Sequence, residues 1–579
     1  MQWDVVIRDG KIVDGSGGPS FIGDIAIQDG KIAAVGAVQG QGAQEIDAQG
    51  LLVTPGFVDI HTHYDGQAMW DSCMAPSSWH GATTVVMGNC GVGFAPCKPE
   101  DHARLIRLME GVEDIPGVVL DEGLKWNWET FPEFLDALEQ RPRDIDVAAQ
   151  LPHGAMRLYV MGERAERLEA ATPDDMQAMA AITREAIAAG AIGFSTSRTL
   201  NHKTSDGNPT PSLRASQEEL QAIANALQGE GVLQFVSDFE NPEQEMAMLE
   251  TLSRESGRPL SVTVAQTHTS PDSYKGLLEW LGAANDRGVA LTGQVAGRPV
   301  GLMLGFRASL NPFIGCASFQ GLMGLSPADR VARLQEPDVR DAILAEFDAG
   351  QYPKEVARLT QFTNLYILGD NPDYEQTAQQ SIAALAERAG IKASRFAYDE
   401  LLKNSGKALL YLPFLNYANG SLEPSLEMLN HPNTVPGLGD GGAHLGIICD
   451  SSLTTHLLSY WTRDRTRGDK VALETAVKWQ THDTAKTVGL MDRGLLKPGY
   501  KADINIIDYQ GLRLHEPEMV WDLPHGSGRL MQGVDGYKYT LVSGEIVYRN
   551  GEWTGATPGQ LVRGAQAQPS ASPSEGVAA

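Results

Sequence analysis

Within residues 54–97, the types and spacing of several side chains suit metal chemistry. The apolar run Phe57–Ile60 ends abruptly in His61-Thr62-His63-Tyr64-Asp65. On a β-strand, side chains two apart share a face, so the imidazoles of His61 and His63 point the same way from one strand end. A second apolar run, Ala82–Met87, reads as another short buried strand and ends in Gly88-Asn89-Cys90-Gly91. If the two strands are parallel neighbours, His61, His63 and Cys90 meet at one rim. Two nitrogens and a sulfur form a donor set that suits zinc. Taken singly the features are less specific: paired histidines also serve as polar turn residues, and a lone cysteine is often a small core side chain.

The wider context narrows the choice. TPGFVDIHTHYDG resembles the signature of the amidohydrolase superfamily, and GATTVVMGNCGVGFAPC is similar to the segment that marks its D-aminoacylase branch. The resemblance implies a (β/α)₈ barrel, a small β-sandwich assembled from both chain ends, and metal-dependent hydrolysis of an N-acylated small molecule. It also implies roles for individual residues. Cys90 anchors the metal as a thiolate, where other amidohydrolases use a carboxylated lysine on the fourth strand. Asp440, in GLGDGGAHLG, touches the metal and exchanges a proton with the attacking water. His268, closing LSVTVAQTH, supplies a further imidazole. After the fifth strand the D-aminoacylase pattern has a histidine, whereas VLQFVSDFE has Asp238. A carboxylate there can substitute as a ligand, or one of two metal positions is weakened, so the expected cofactor is one or two zinc ions.

These residues need elements to carry them. Six more apolar runs follow the first two: DIDVAAQLPHG, AIGFSTS, VLQFVSD, LSVTVAQTH, VALTGQVAG and TVPGLGD. Helical stretches lie between them, among them PDDMQAMAAITREAIAAG and SQEELQAIANALQGEG, with acidic first turns and glycine at the end. Eight strands alternating with helices fit a (β/α)₈ barrel, whose chemistry sits where the strands end. About 130 residues separate the last two strands, far more than an ordinary connection. An insertion at about 300–430 is therefore expected near the barrel mouth. The first 54 residues and a stretch near 497–560 read as short strands with Asp-Gly turns, one domain shared by both chain ends flanking a barrel over 55–496. The tail, 561–579, is poor in bulky apolar side chains and is expected to be disordered.

An N-acyl amino acid carries a carboxylate, and a bidentate arginine is the natural clamp for it. Arg298 after the seventh strand and Arg198 after the fourth are the candidates, with Lys203 and His153 as further polar groups at strand ends; any of them also suits a surface ion pair or a buried hydrogen bond. The expected reaction is hydrolysis of a C–N amide bond, most like that of an N-acyl-D-amino acid, with Asp440 as general base and then acid. The alternatives are a cyclic amide, carbamate or ester substrate on the same scaffold, or a non-catalytic barrel subunit.

Composition sets outer bounds. A chain of 579 residues accommodates a barrel and an accessory domain, and 42% hydrophobic with 21% charged residues is ordinary globular material. A net charge of −27 disfavours nucleic acid and anionic membranes as partners. Five cysteines, an odd and sparse set, argue for a reducing compartment rather than a disulfide framework. The opening MQWDVVIRDGKIVDG has no secretory pattern, so a cytoplasmic enzyme acting on a small acylated compound is expected, either monomeric or a homo-oligomer.

Overall fold

The computed structural model describes residues 2–229 and 231–570. Eight parallel strands pair in chain order: Phe57–Asp59, Ala82–Met87, Asp146–Pro152, Gly193–Arg198, Val232–Ser237, Leu260–Thr263, Leu291–Val295 and Thr434–Pro436. They are the eight apolar runs read from the sequence. The second and third strands are buried at every position, as expected for strands covered on both faces. Closure comes from the residues that leave the first and last strands. His63 N–H donates to the Gly441 carbonyl at 2.7 Å, and Asp440 N–H donates to the His61 carbonyl at 3.0 Å, making a parallel bridge between Thr62 and Gly441. The backbone that closes the barrel thus carries the residues singled out for chemistry.

The two chain ends join in one nine-stranded sheet. Leu52–Pro55, just ahead of the barrel, pairs antiparallel with Ile504–Ile507, just after it. Five strands come from the N-terminal side and four from the C-terminal side, around a core that includes Ile7, Ile25, Ile27, Val53, Ile504 and Leu541. A buried ion-pair network fixes this region under the barrel. Asp146, at the start of the third barrel strand, accepts from Arg493 and Lys501 at 2.6 Å each.

The insertion has a core of its own. Val300–Leu304 pairs antiparallel with Leu410–Leu415, and Phe306, Phe313, Phe319, Phe347 and Tyr398 pack among aliphatic side chains. It is tied to the segment after the eighth strand by Arg465, which makes two 3.0 Å bonds to the Glu375 carboxylate.

The chain's last described stretch departs from expectation. Val562 N–H donates to the Val147 carbonyl, Gly564 N–H to Gly190 and Gln566 N–H to Gly489, so residues 561–566 lie paired against the foot of the barrel. Small residues there allow the close backbone approach these bonds require. Residues 571–579 of the expected disordered tail lie outside the described residues.

Candidate metal centre

The first barrel strand places His61 and His63 on one face, as its two-residue period requires, and their rings meet edge to face at 5.7 Å. The second strand delivers Cys90. One ligating atom each from His61, His63 and Cys90 lie within 4.8 Å of one another, and all three side chains are buried. His61 Nε2 stands 3.3 Å from Cys90 Sγ. The Asp440 Oδ1 oxygen approaches from the eighth strand, 3.5 Å from His61 Nε2 and 3.8 Å from His63 Nε2.

The backbone is bent to make this possible. Cys90, Asp440 and His444 adopt left-handed φ angles of 56°, 47° and 52°, conformations that cost energy for residues with a Cβ and that cluster at functional sites. The Cys90 turn depends on its glycines: Gly88 has φ 77°, and a Cβ there would run into the Gln150 carbonyl. Asn89 ties the turn to its own strand and to the segment leaving the first, donating to the carbonyls of Val86 at 2.9 Å and Thr62 at 3.2 Å. Cys90 N–H donates to Gln234 Oε1 at 3.1 Å.

Hydrogen bonding fixes the tautomer of His61. Gln294 Nε2 donates to Ser261 Oγ at 2.9 Å, so its Oε1 faces His61 Nδ1 at 2.7 Å as an acceptor. The proton therefore sits on Nδ1, and the Nε2 lone pair faces the thiol.

The electrostatics of the cluster suit a cation. Burial lowers the pKa of His61 to about 4 and holds that of His63 well below its usual value. Both imidazoles are thus neutral, the state that ligates metals. Burial pushes the Cys90 thiol up, and the nearby carboxylates of Glu113, Asp440 and Asp65 push it further. Burial also raises Asp440, with smaller contributions from Asp450 and Asp59. A thiol and carboxylates crowded together in low dielectric lose their protons only where a positive charge compensates them. The donor set of two imidazoles and a thiol fits zinc.

Several residues chosen from sequence lie elsewhere. His268 is exposed. The sixth strand stops at Thr263, and the chain beyond it is captured by the insertion: Asn416 N–H donates to the Gln266 carbonyl, and Gln266 Oε1 accepts from Ala418 N–H. This capture turns His268 outward. Asp238 is also exposed and organises the loop after the fourth strand, accepting from Thr199 Oγ1 at 2.5 Å and Leu200 N–H at 2.7 Å. Arg298 is fully buried, paired with Asp450 at 2.9 Å and lying 3.9 Å over the Tyr374 ring. Arg198 pairs with Glu245 at 2.6 Å, and Lys203 is exposed. Both ring nitrogens of the buried His153 are already engaged, by Thr196 Oγ1 at 2.8 Å and Glu219 Oε1 at 2.9 Å.

Three further residues lie near the cluster. His202, next to Lys203, bonds through Nδ1 to Ser197 Oγ at 2.9 Å and is close enough to His61 for charge on one to disfavour charge on the other. His444 faces Glu113, with 3.6 Å between Nε2 and Oε2. Glu113 itself, 3.3 Å from His63 Nδ1, ends the helix His102–Glu113. A histidine four residues past a strand end was a readable signal for His202. Glu113 gave none, because acidic residues in amphipathic helices usually face water.

Comparison with known proteins identifies the family. The Amidohydrolase family profile matches residues 44–548. The chain is 27% identical to an uncharacterized protein of Mycobacterium tuberculosis, across 96% of this chain and 93% of that one. It is 33% identical to D-aminoacylase of Alcaligenes xylosoxydans xylosoxydans over 269 residues, 46% of this chain and 51% of that protein. The solved structure of a D-aminoacylase matches with a TM-score of 0.62 at 24% identity, covering 97% of this chain and all (100%) of the other. N-acyl-D-glutamate deacylase from Bordetella bronchiseptica, solved with zinc and a phosphonate inhibitor, matches with a TM-score of 0.63 at 22% identity over the same shares, 97% and 100%. With a barrel closed through its own candidate metal ligands and a family match over most of its length, the chain belongs to the amidohydrolase family of hydrolases.

Proposed function

We propose that the protein is a zinc-dependent amidohydrolase that cleaves the amide bond of an N-acyl-D-amino acid. The observation that carries this reading is the convergence of His61, His63 and Cys90, with Asp440 beside them. These three side chains would hold the metal, and Asp440 would face it. A bound zinc would supply Lewis-acid polarisation of the scissile carbonyl and lower the pKa of the attacking water. Asp440 accepts the water proton and, on collapse of the tetrahedral carbon, delivers it to the departing nitrogen. Gln294 keeps His61 oriented throughout, since its amide is itself held by Ser261. The acylated amino-acid substrate is supported by the likeness to D-aminoacylases.

A second reading rests on one observation. Arg298 and Arg198, the residues expected to clamp a substrate carboxylate, are both committed to internal ion pairs. A neutral cyclic amide or carbamate needs no such clamp. Assaying the zinc-loaded enzyme against N-acyl-D-, N-acyl-L-, cyclic amide and ester substrates separates the two. Turnover of N-acyl-D-amino acids at least tenfold above the other classes is the expected result. A preference for the cyclic or ester substrates would replace it with the second reading, and no metal-dependent turnover of any class would remove both.

A further inference from the structure

Glu113 is a fully buried carboxylate at the end of its helix, with oxygens 3.3 Å from His63 Nδ1 and 3.6 Å from His444 Nε2. Neither contact has hydrogen-bond alignment, and neither oxygen has another partner. An unpartnered buried carboxylate is expensive, and its position beside an imidazole calls for an explanation.

The two nitrogens of His63 face two different carboxylates. Nε2 points toward the cluster, 3.8 Å from Asp440 Oδ1, whereas Nδ1 points back to Glu113. Glu113 therefore faces the other nitrogen of the ring, close enough to Cys90 for its charge to raise the thiol, and is not one of the three donors grouped as His61, His63 and Cys90. A neutral imidazole that ligates through one nitrogen keeps its proton on the other, and that N–H needs an acceptor. For His61 the acceptor is an amide oxygen, Gln294 Oε1. For His63 the group in that position is the Glu113 carboxylate.

Glu113 is also held in place from behind. Its carbonyl accepts from His444 N–H, and the next residue, Asp114, accepts from Gly446 N–H at 2.9 Å and from Ser309 Oγ at 3.3 Å. These bonds fasten the helix end to the loop that follows Asp440 and to the insertion.

We propose that Glu113 is the positioning residue of the metal centre, accepting the Nδ1 proton of His63 so that Nε2 is presented to the metal with raised basicity. This rests on the metal reading above. The two imidazoles would then be unequal ligands, one backed by a neutral amide and the other by a carboxylate.

The test uses the full-length protein as wild type, Glu113→Gln and Glu113→Asp. Zinc affinity is measured by chelator competition, and the Co²⁺-substituted proteins are compared by visible absorption. Glu113→Gln is expected to lose about 10- to 100-fold in zinc affinity and to shift the cobalt bands, and Glu113→Asp to recover part of the loss. A Glu113→Gln protein with wild-type affinity and spectrum overturns the assignment while leaving the metal reading intact. A wild type that takes up no zinc overturns both. Should the variants not fold, ¹⁵N-histidine correlation spectra of zinc-loaded wild type decide: a proton on His63 Nδ1 supports the role, and a metal-bound Nδ1 overturns it.

Discussion

His61 and His63 share a strand face, and Asp440 reaches them from the strand that closes the barrel, so each replacement has its own expected signature. Asp440→Asn keeps the shape of the side chain and removes its capacity as a base. Turnover should fall about 10²- to 10⁴-fold, with zinc content by elemental analysis unchanged; near wild-type activity would remove Asp440 from the reaction. Away from the centre, His80 is buried between Thr455 Oγ1 and the Gln532 carbonyl, and burial lowers its pKa to about 3. In the unfolded chain His80 titrates near its ordinary 6.5. Between those values the unfolded state binds a proton that the folded state refuses, so stability is lost as pH falls from 6.5 toward 3. His80→Gln should flatten the stability profile in that window by about 1.4 kcal/mol per pH unit, measured by urea melts at several pH values. At this scale the sequence was legible where spacing on a strand fixed direction, as in His-X-His. It was not legible where a loop's path depended on distant chain: His268 faces outward because residues 416–418 of the insertion hold Gln266.

At the scale of elements, barrel strands were readable because burial on both faces leaves uninterrupted apolar runs such as Ala82–Met87. What decides their mutual placement is less visible. Asp146 anchors the foot of the third strand to Arg493 and Lys501, more than 300 positions away, and no local pattern announces such a pairing. Asp146→Asn removes the carboxylate that Arg493 and Lys501 share, while Asp492 and Asp503 remain as their partners, and should destabilise the fold by about 1–3 kcal/mol, read as a shift in the urea midpoint. The insertion was recognisable as excess length between two strands, with helical stretches such as DVRDAILAEFDAG inside it. Its aromatic core around Phe313 and Tyr398 is its own, and it is tied to the rest of the chain by the Arg465–Glu375 pair and by the hold of residues 416–418 on Gln266.

Across the whole molecule, both chain ends are structural partners. Ile504–Ile507 pairs with Leu52–Pro55 on one side and Tyr537–Val542 on the other. A chain stopped after Gly536 would expose that strand's edge and should be recovered mostly as aggregate; a soluble, monodisperse truncation would show the C-terminal strands to be dispensable. A sheet built from both ends was legible because short strands separated by glycine turns recur at each end, Asp29-Gly30 in one and Ser543-Gly544 and Asn550-Gly551 in the other. The ordered path of residues 561–566 was not, since its composition gives no sign of the backbone pairing that holds it. The measurement that bears most directly on the central claim is X-ray absorption at the metal edge of the purified, zinc-loaded protein, compared with Cys90→Ser. Stoichiometric zinc with sulfur and nitrogen scatterers bound to it, and loss of the sulfur signal in the variant, is the result expected. Zinc with no sulfur neighbour in the wild type, or a protein that binds none, would contradict a centre made by His61, His63 and Cys90.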